Sequence, residues 1–105
     1  MSVRVSKDNF DTEVLLCDNI VIADFYSDSC VPCKRLSPIL AELEEENTDN
    51  VKFVKINVNY DSELAEKYGV QSSPTLIFFK NGEEKTRRTG LIKKSEISDI
   101  INELK

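Results

Sequence analysis

The chain has 105 residues, of which 40% are hydrophobic and 31% charged, so residues 1–105 are expected to form a single globular domain. The formal net charge of -5, from 14 basic and 19 acidic residues, argues against nucleic acid or an anionic membrane as a partner. Histidine is absent, which excludes Cys-His and Ser-His catalysis and removes the commonest metal ligand.

The first predicted elements are a short strand and a helix. Residues Ser2–Val5 are typical of a strand, and Ser6 can cap a helix from Lys7 to about Leu16. Phe10 and Val14, four residues apart, would lie on the buried face of that helix.

A nearly continuous apolar run, Ile20–Tyr26, predicts a strand covered on both faces. The hydrophobic period then becomes helical, which predicts an amphipathic helix from Pro32 to about Asn47 with its apolar positions at Leu36, Ile39, Leu40 and Leu43. Pro32 fits the first turn of this helix, whereas Pro38 lies inside it and predicts a kink.

Alternating residues predict a second core strand, Val51–Val58, and a short helix, Ser62–Tyr68, follows with Gly69 just past its end. A β-hairpin is then expected from Thr75–Lys80 and Glu84–Thr89. Between them, Asn81-Gly82 favours a type I′ turn.

The last predicted helix, Lys94–Leu104, completes the order β-α-β-α-β-α-β-β-α. Parallel crossovers followed by an antiparallel hairpin indicate an α/β fold with one mixed sheet and helices on both faces. Chemistry in such sheets collects beyond the carboxyl ends of strands, where Cys30 lies.

Cys30 and Cys33 are spaced i, i+3 at a predicted helix start. Their side chains would share one face roughly 5 to 6 Å apart, and the helix N-terminus would favour a thiolate. We expect Cys30, the more exposed, to be the attacking thiolate and Cys33 the resolving thiol. A zinc site is the alternative, although only Cys17 could add a ligand; Cys17 is otherwise expected to be a small buried hydrophobe.

Asp24 is unusual because it interrupts an apolar strand. It is either a carboxylate exposed at a strand edge or a buried acid with a raised pKa that takes the proton from Cys33. Lys55, on the next core strand, is a candidate charge partner for it. The Ser73-Pro74 bond would be trans on sequence grounds, since cis occurs in only ~5% of X-Pro bonds.

Several motifs together match a known family: Ala23 to Phe25, Cys30 to Lys34, Pro38, Lys55 to Asn57, Tyr68 to Val70, Ser73 to Thr75, Phe79 to Glu83, and Gly90. On these the chain resembles the thioredoxin family over essentially its full length. The resemblance implies the thioredoxin fold, with a central mixed five-stranded sheet flanked by four helices. It also implies a protein disulfide reductant that forms a Cys30–Cys33 disulfide.

The resemblance assigns roles as well. It implies that Asp24 is the buried base for Cys33 and that Val31 and Pro32 tune the redox potential. It implies a cis Ser73-Pro74 bond, pairing of the Ser73 backbone with an extended substrate, and a groove lined by Val31, Thr75 and Gly90. Ser29 stands beside the nucleophile where the family usually has tryptophan, and Tyr26 replaces another.

The implied partners are disulfide-containing target proteins and a flavoprotein thioredoxin reductase whose electron donor, NADPH or ferredoxin, stays open. No bound cofactor is needed, because the cysteines carry the electrons. We expect a monomer in the cytoplasm, since no apolar run approaches the ~20 residues of a membrane span and the N-terminus lacks a signal-peptide core. The alternatives are a specialised carrier serving one reductase or peroxidase system, or a redox-inert binding module.

Overall fold

The apolar run Ile20–Tyr26 forms the middle strand of the sheet in a computed structural model that describes residues 3–47 and 50–105. The strands are β1 (Val3–Arg4), β2 (Ile20–Tyr26), β3 (Val51–Asn57), β4 (Thr75–Lys80) and β5 (Glu83–Thr89). The helices are a π-helical turn (Asp11–Leu15), α1 (Val31–Glu46), α2 (Ser62–Lys67) and α3 (Lys94–Leu104). The expected mixed five-stranded sheet is confirmed.

The strand order is β1-β3-β2-β4-β5. The strands β1, β3 and β2 run parallel, whereas β4 is antiparallel to β2 and β5 to β4. This arrangement confirms the parallel first half and the antiparallel second half. The start of the first predicted strand, Ser2, lies outside the described residues.

The two faces of the sheet are covered by different helices. Val21 and Phe25 of β2 belong to a buried cluster that includes residues of the π-helical turn and α2. Ile20 and Ile22 belong to a second cluster with residues of α1 and α3. Side chains alternate along a strand, so Asp24 lies on the α1 face, two residues beyond Ile22.

The predicted helix Lys7–Leu16 is wrong in its first half. Residues 7–9 form a turn, with a bond from the Asn9 N–H to the Ser6 carbonyl at 3.2 Å, and the π-helical turn begins only at Asp11. Ser6 does make the contacts of an N-cap, since its hydroxyl accepts the Asp8 N–H at 3.3 Å and its own N–H donates to the Asn9 carboxamide oxygen at 2.8 Å. Phe10 and Val14 are buried as predicted.

The hairpin turn has the predicted geometry. Asn81 and Gly82 have φ angles of 53° and 79°, both positive as a type I′ turn requires. Gly82 also passes close to the π-helical turn, because a Cβ there would lie 2.6 Å from the Leu15 carbonyl oxygen. Gly69 has a φ of 66°, consistent with its predicted place after α2.

Candidate active site

Cys30 and Cys33 form a disulfide at the N-terminus of α1, with their Cα atoms 5.2 Å apart. Cys30 is the N-cap of this helix, and its Sγ accepts a hydrogen bond from the Cys33 N–H at 3.1 Å. A sulfur that receives an amide N–H and lies at the positive end of the helix dipole is stabilised as a thiolate when the disulfide opens.

The expected difference in exposure between the two cysteines is almost absent. Cys30 is 9% exposed and Cys33 is 8% exposed. The distinction between nucleophile and resolver therefore rests on position, since Cys30 caps the helix and Cys33 lies within its first turn.

Asp24 is buried, with 5% of its surface exposed, so the structure excludes the exposed strand-edge alternative. Its Oδ1 has no hydrogen-bond partner among the described residues. Burial raises the pKa of Asp24 from 3.8 to about 6, and the charge of Lys55 opposes part of this rise. Asp24 is directly opposite Lys55 in the parallel pairing of β2 with β3.

A cavity of about 230 Å³ connects these groups, since Asp24, Lys55 and Cys33 all line it. The Lys55 Nζ also lies 5.5 Å from the centre of the Tyr26 ring, within the range of a cation–π contact. A space that can hold several water molecules and is bordered by both the acid and the resolving cysteine is suited to moving a proton between them.

The loop before β4 brings its backbone to the disulfide. The Ser73-Pro74 bond is cis, as the resemblance implies and contrary to the expectation from sequence alone. The Ser73 carbonyl oxygen lies 3.4 Å from Cys30 Sγ. On the other side of this loop, the Gly90 N–H donates to the Pro74 carbonyl at 2.8 Å.

The expected groove residues around the disulfide differ in how much of their surface is exposed. Val31 is 57% exposed, and Ser29 and Pro32 are also exposed next to the cysteines. Thr75 is only 1% exposed, and its hydroxyl donates to the Ser72 carbonyl at 2.7 Å. The Thr75 side chain thus stabilises the loop through this hydrogen bond and presents little surface to a partner.

Two contacts of residues 27–28, which lie between β2 and Cys30, were not predicted. The hydroxyls of Ser27 and Ser73 lie 3.1 Å apart, and the Asp28 carboxylate accepts a hydrogen bond from the Asn57 side chain at 3.0 Å. Each contact joins residues far apart in the chain, so no local pattern could have indicated it.

Cys17, a free cysteine, is half-buried against the cluster that contains Phe10. In residues 3–47 and 50–105, no three potential metal-ligating side chains of His, Cys, Asp or Glu come together. None of the helices described here is long and apolar enough to cross a membrane.

Comparison with known proteins gives consistent matches along the chain. A family model described as Thioredoxin matches residues 1–103. The thioredoxin of Rickettsia typhi is 42% identical over 99 residues, which cover 94% of each chain. The thioredoxin of Rickettsia bellii is 38% identical over 102 residues, 97% of each chain. That of Bacillus subtilis is 38% identical over 100 residues, 95% of this chain and 94% of the relative.

Proposed function

The chain belongs to the thioredoxin family and is a protein-disulfide oxidoreductase, and from this premise we propose how its own residues carry the reaction. The observation that carries the proposal is the placement of the Cys30–Cys33 pair between the Ser73 backbone and a cavity that contains Asp24.

In the proposed first step the Cys30 thiolate attacks one sulfur of a target disulfide. The target S–S bond breaks, one target sulfur leaves as a thiolate, and the other stays bonded to Cys30 as a mixed disulfide. The Cys33 N–H and the α1 N-terminus stabilise the attacking thiolate. Val31 and Pro32, which separate the two cysteines, are proposed to tune the redox potential.

In the second step the Cys33 sulfur attacks Cys30. Asp24 takes the Cys33 proton through the shared cavity, the mixed disulfide breaks, and the second target sulfur leaves with its electron pair. Two electrons have then passed to the target, whose two thiolates take their protons from water, while Asp24 returns the Cys33 proton to solvent and Cys30–Cys33 is a disulfide. Lys55 is proposed as the charge partner that keeps the Asp24 pKa from rising further.

The groove for the target is proposed to lie across Ser73 and Pro74. The Ser73 backbone would pair with an extended target segment, as a strand adds to a sheet edge. Exposed Val31 and Ser29 would contact the flanking target side chains, and Gly90 would allow close approach on the far side. Thr75 would contribute by supporting the loop.

Disulfide-containing targets and a reductase are the partners that membership of this family implies. We propose a flavoprotein reductase, using either NADPH or ferredoxin, that returns two electrons to the Cys30–Cys33 disulfide. We also propose that the protein works as a monomer of one domain in the cytoplasm, because a dithiol reductant needs a reducing compartment. Exposed Ser29 in place of an aromatic side chain favours, as a second candidate, a carrier dedicated to one reductase or peroxidase system.

Turnover of insulin disulfides with dithiothreitol tests the proposal. The wild-type protein should accelerate the reduction strongly, and Cys30→Ser should reduce the rate to that of dithiothreitol alone. Equal rates for the two proteins would overturn the assignment of Cys30. Reduction of the oxidised protein by an NADPH-dependent and by a ferredoxin-dependent flavoenzyme would then identify the electron donor.

A further inference from the structure

The hydroxyls of Ser27 and Ser73 connect two segments that are otherwise far apart in the chain. Their oxygens are 3.1 Å apart, and both residues are half-buried. Ser27 directly follows Tyr26, the last residue of the central strand β2. Ser73 directly precedes the cis proline. The pair therefore joins the cis-proline loop to the carboxyl end of the central strand β2.

The backbone groups on either side of Ser73 are already used within the protein. The Ser72 carbonyl accepts the Thr75 hydroxyl, and the Pro74 carbonyl accepts the Gly90 N–H. The Ser73 carbonyl instead faces Cys30 Sγ at 3.4 Å. The Ser73 N–H has no hydrogen-bond partner in the part of the chain that the structure describes. Ser73 thus keeps both a donor and a carbonyl available beside the disulfide.

The orientation of the Ser73 N–H and carbonyl depends on the contacts that fix Ser73 and its neighbours. Thr75 and Gly90 hold its neighbours, and the side chain of Ser73 is held by Ser27. A hydroxyl pair of this kind still has one free O–H and spare lone pairs, so it can persist while a partner binds nearby. Without Ser27, binding of the target would have to order the Ser73 peptide, and the free energy of that ordering would weaken the affinity for the target.

We propose that Ser27 is a positioning residue that, through the Ser73 hydroxyl, holds the Ser73 N–H and carbonyl in the orientation an extended target segment requires. This inference rests on the proposed pairing of the Ser73 backbone with the target. It predicts a selective effect: protein disulfides that pair with Ser73 depend on Ser27, whereas a small aryl disulfide that has no peptide backbone does not.

The test compares KM and kcat of Ser27→Ala for insulin and for dithiobis-nitrobenzoate. Loss of one hydrogen bond should raise the KM for insulin by about threefold to tenfold. The insulin kcat and the rate with the aryl disulfide should stay within about twofold of the wild-type values. Ser73→Ala should raise the insulin KM equally, and the double variant should add nothing further, because the two hydroxyls act as one unit.

Two further variants separate this role from a general loss of structure. Ser27→Thr keeps the hydroxyl and should retain the wild-type insulin KM. Ser72→Ala removes a neighbouring exposed hydroxyl that has no hydrogen bond among the described residues, and it should also behave as wild type. An unchanged insulin KM in Ser27→Ala, or a parallel fall in activity on both disulfides, would overturn the inference.

A wrong assignment of the nucleophile would give a different result from a wrong assignment of Ser27. If Cys30 is not the nucleophile, Cys30→Ser will retain activity on both disulfides whatever Ser27 does. If Cys30→Ser is inactive and Ser27→Ala has the wild-type insulin KM, the proposed disulfide exchange at Cys30 is supported and only the positioning role of Ser27 is excluded.

Discussion

Asp24 and Lys55 lie directly opposite each other in the β2–β3 pairing, and both line the cavity that reaches Cys33. The pair combines a buried acid, whose pKa is raised by burial, with a cation that lowers it. This balance leaves the acid with a pKa of about 6, so it is mostly ionised near neutral pH and can accept a proton.

The stability of the oxidised protein should depend on pH through Asp24. The folded protein holds the Asp24 proton to a higher pH than the unfolded chain, so the free energy of unfolding falls as pH rises from 3.8 to about 6. Asp24→Asn removes this loss and should be more stable than wild type by about 1 to 3 kcal/mol at pH 8, with little difference at pH 4. Urea unfolding of wild type and Asp24→Asn at pH 4 and pH 8 measures this difference in the free energy of unfolding.

The matched control for that measurement is Asp99→Asn, which changes an exposed carboxylate on α3. It should leave the stability difference between pH 4 and pH 8 near the wild-type value. A wild-type pH dependence in Asp24→Asn as well would mean that Asp24 is not protonated in the folded protein over this range.

Asp24→Asn should also slow the second chemical step. Without a base near Cys33, the mixed disulfide should resolve about tenfold or more slowly at pH 7, whereas the first attack by Cys30 should keep its rate. Rapid quenching with acid, followed by quantification of the mixed disulfide, separates the two steps. Normal resolution in this variant would remove Asp24 from the mechanism.

Lys55→Gln should move the pH dependence of resolution upward. The Lys55 charge lowers the pKa of Asp24, so its removal should raise that pKa above about 6 and shift the half-maximal rate to higher pH. Lys52→Gln is the control, because Lys52 lies on the same strand but forms its ion pair with Glu13 at 2.9 Å. A shift in Lys52→Gln, or none in Lys55→Gln, would contradict the assignment.

Cys33→Ser should trap the target as a mixed disulfide on Cys30. Since no thiol remains at the start of α1 to attack it, the covalent complex should accumulate to nearly one equivalent and be released by dithiothreitol. Mass spectrometry under non-reducing conditions measures the complex. Cys17→Ser should turn over as wild type, and trapping through Cys17 in place of Cys30 would refute the assignment.

Gly82→Ala should destabilise the fold by more than about 2 kcal/mol. The φ of 79° disfavours any side chain, and the new Cβ would lie 2.6 Å from the Leu15 carbonyl oxygen. Gly69→Ala is the matched control, because its φ is 66° but no described residue beyond its two chain neighbours lies within 4 Å of the added Cβ; it should cost about 1 kcal/mol. Chemical denaturation of both variants tests the difference, and equal losses would exclude a role for the Leu15 contact.

Sequence patterns predicted the elements whose hydrophobic period is long and regular. The central strand, α1, the Asn81-Gly82 hairpin and α3 all lie close to where their periods place them. The N-terminal helix was predicted too long and too regular, because the Ser6 cap and the spacing of Phe10 and Val14 fit a turn followed by a π-helical turn as well as they fit an α-helix.

The candidate site was predictable where a local pattern or the order of the strands indicates it, and Lys55 was placed near Asp24 because it lies on the next core strand. Cys30 and Cys33 follow from spacing, and Asp24 follows from its apolar surroundings. The cis bond before Pro74 required the family resemblance, because its local residues are compatible with trans. The Ser27–Ser73 contact required the structure, since it depends on how two loops meet after folding.

The disulfide closes between residues of a single helical turn, and its Cα separation of 5.2 Å is close to the spacing that a helix gives any residues three apart. Opening or closing this bond therefore asks for almost no movement of the main chain. The reduced and oxidised forms of the protein should be nearly superimposable, so a partner cannot distinguish them by the shape of the main chain. A partner must then distinguish the two forms at the sulfur atoms themselves, by whether Cys30 presents a thiolate or is bonded to Cys33.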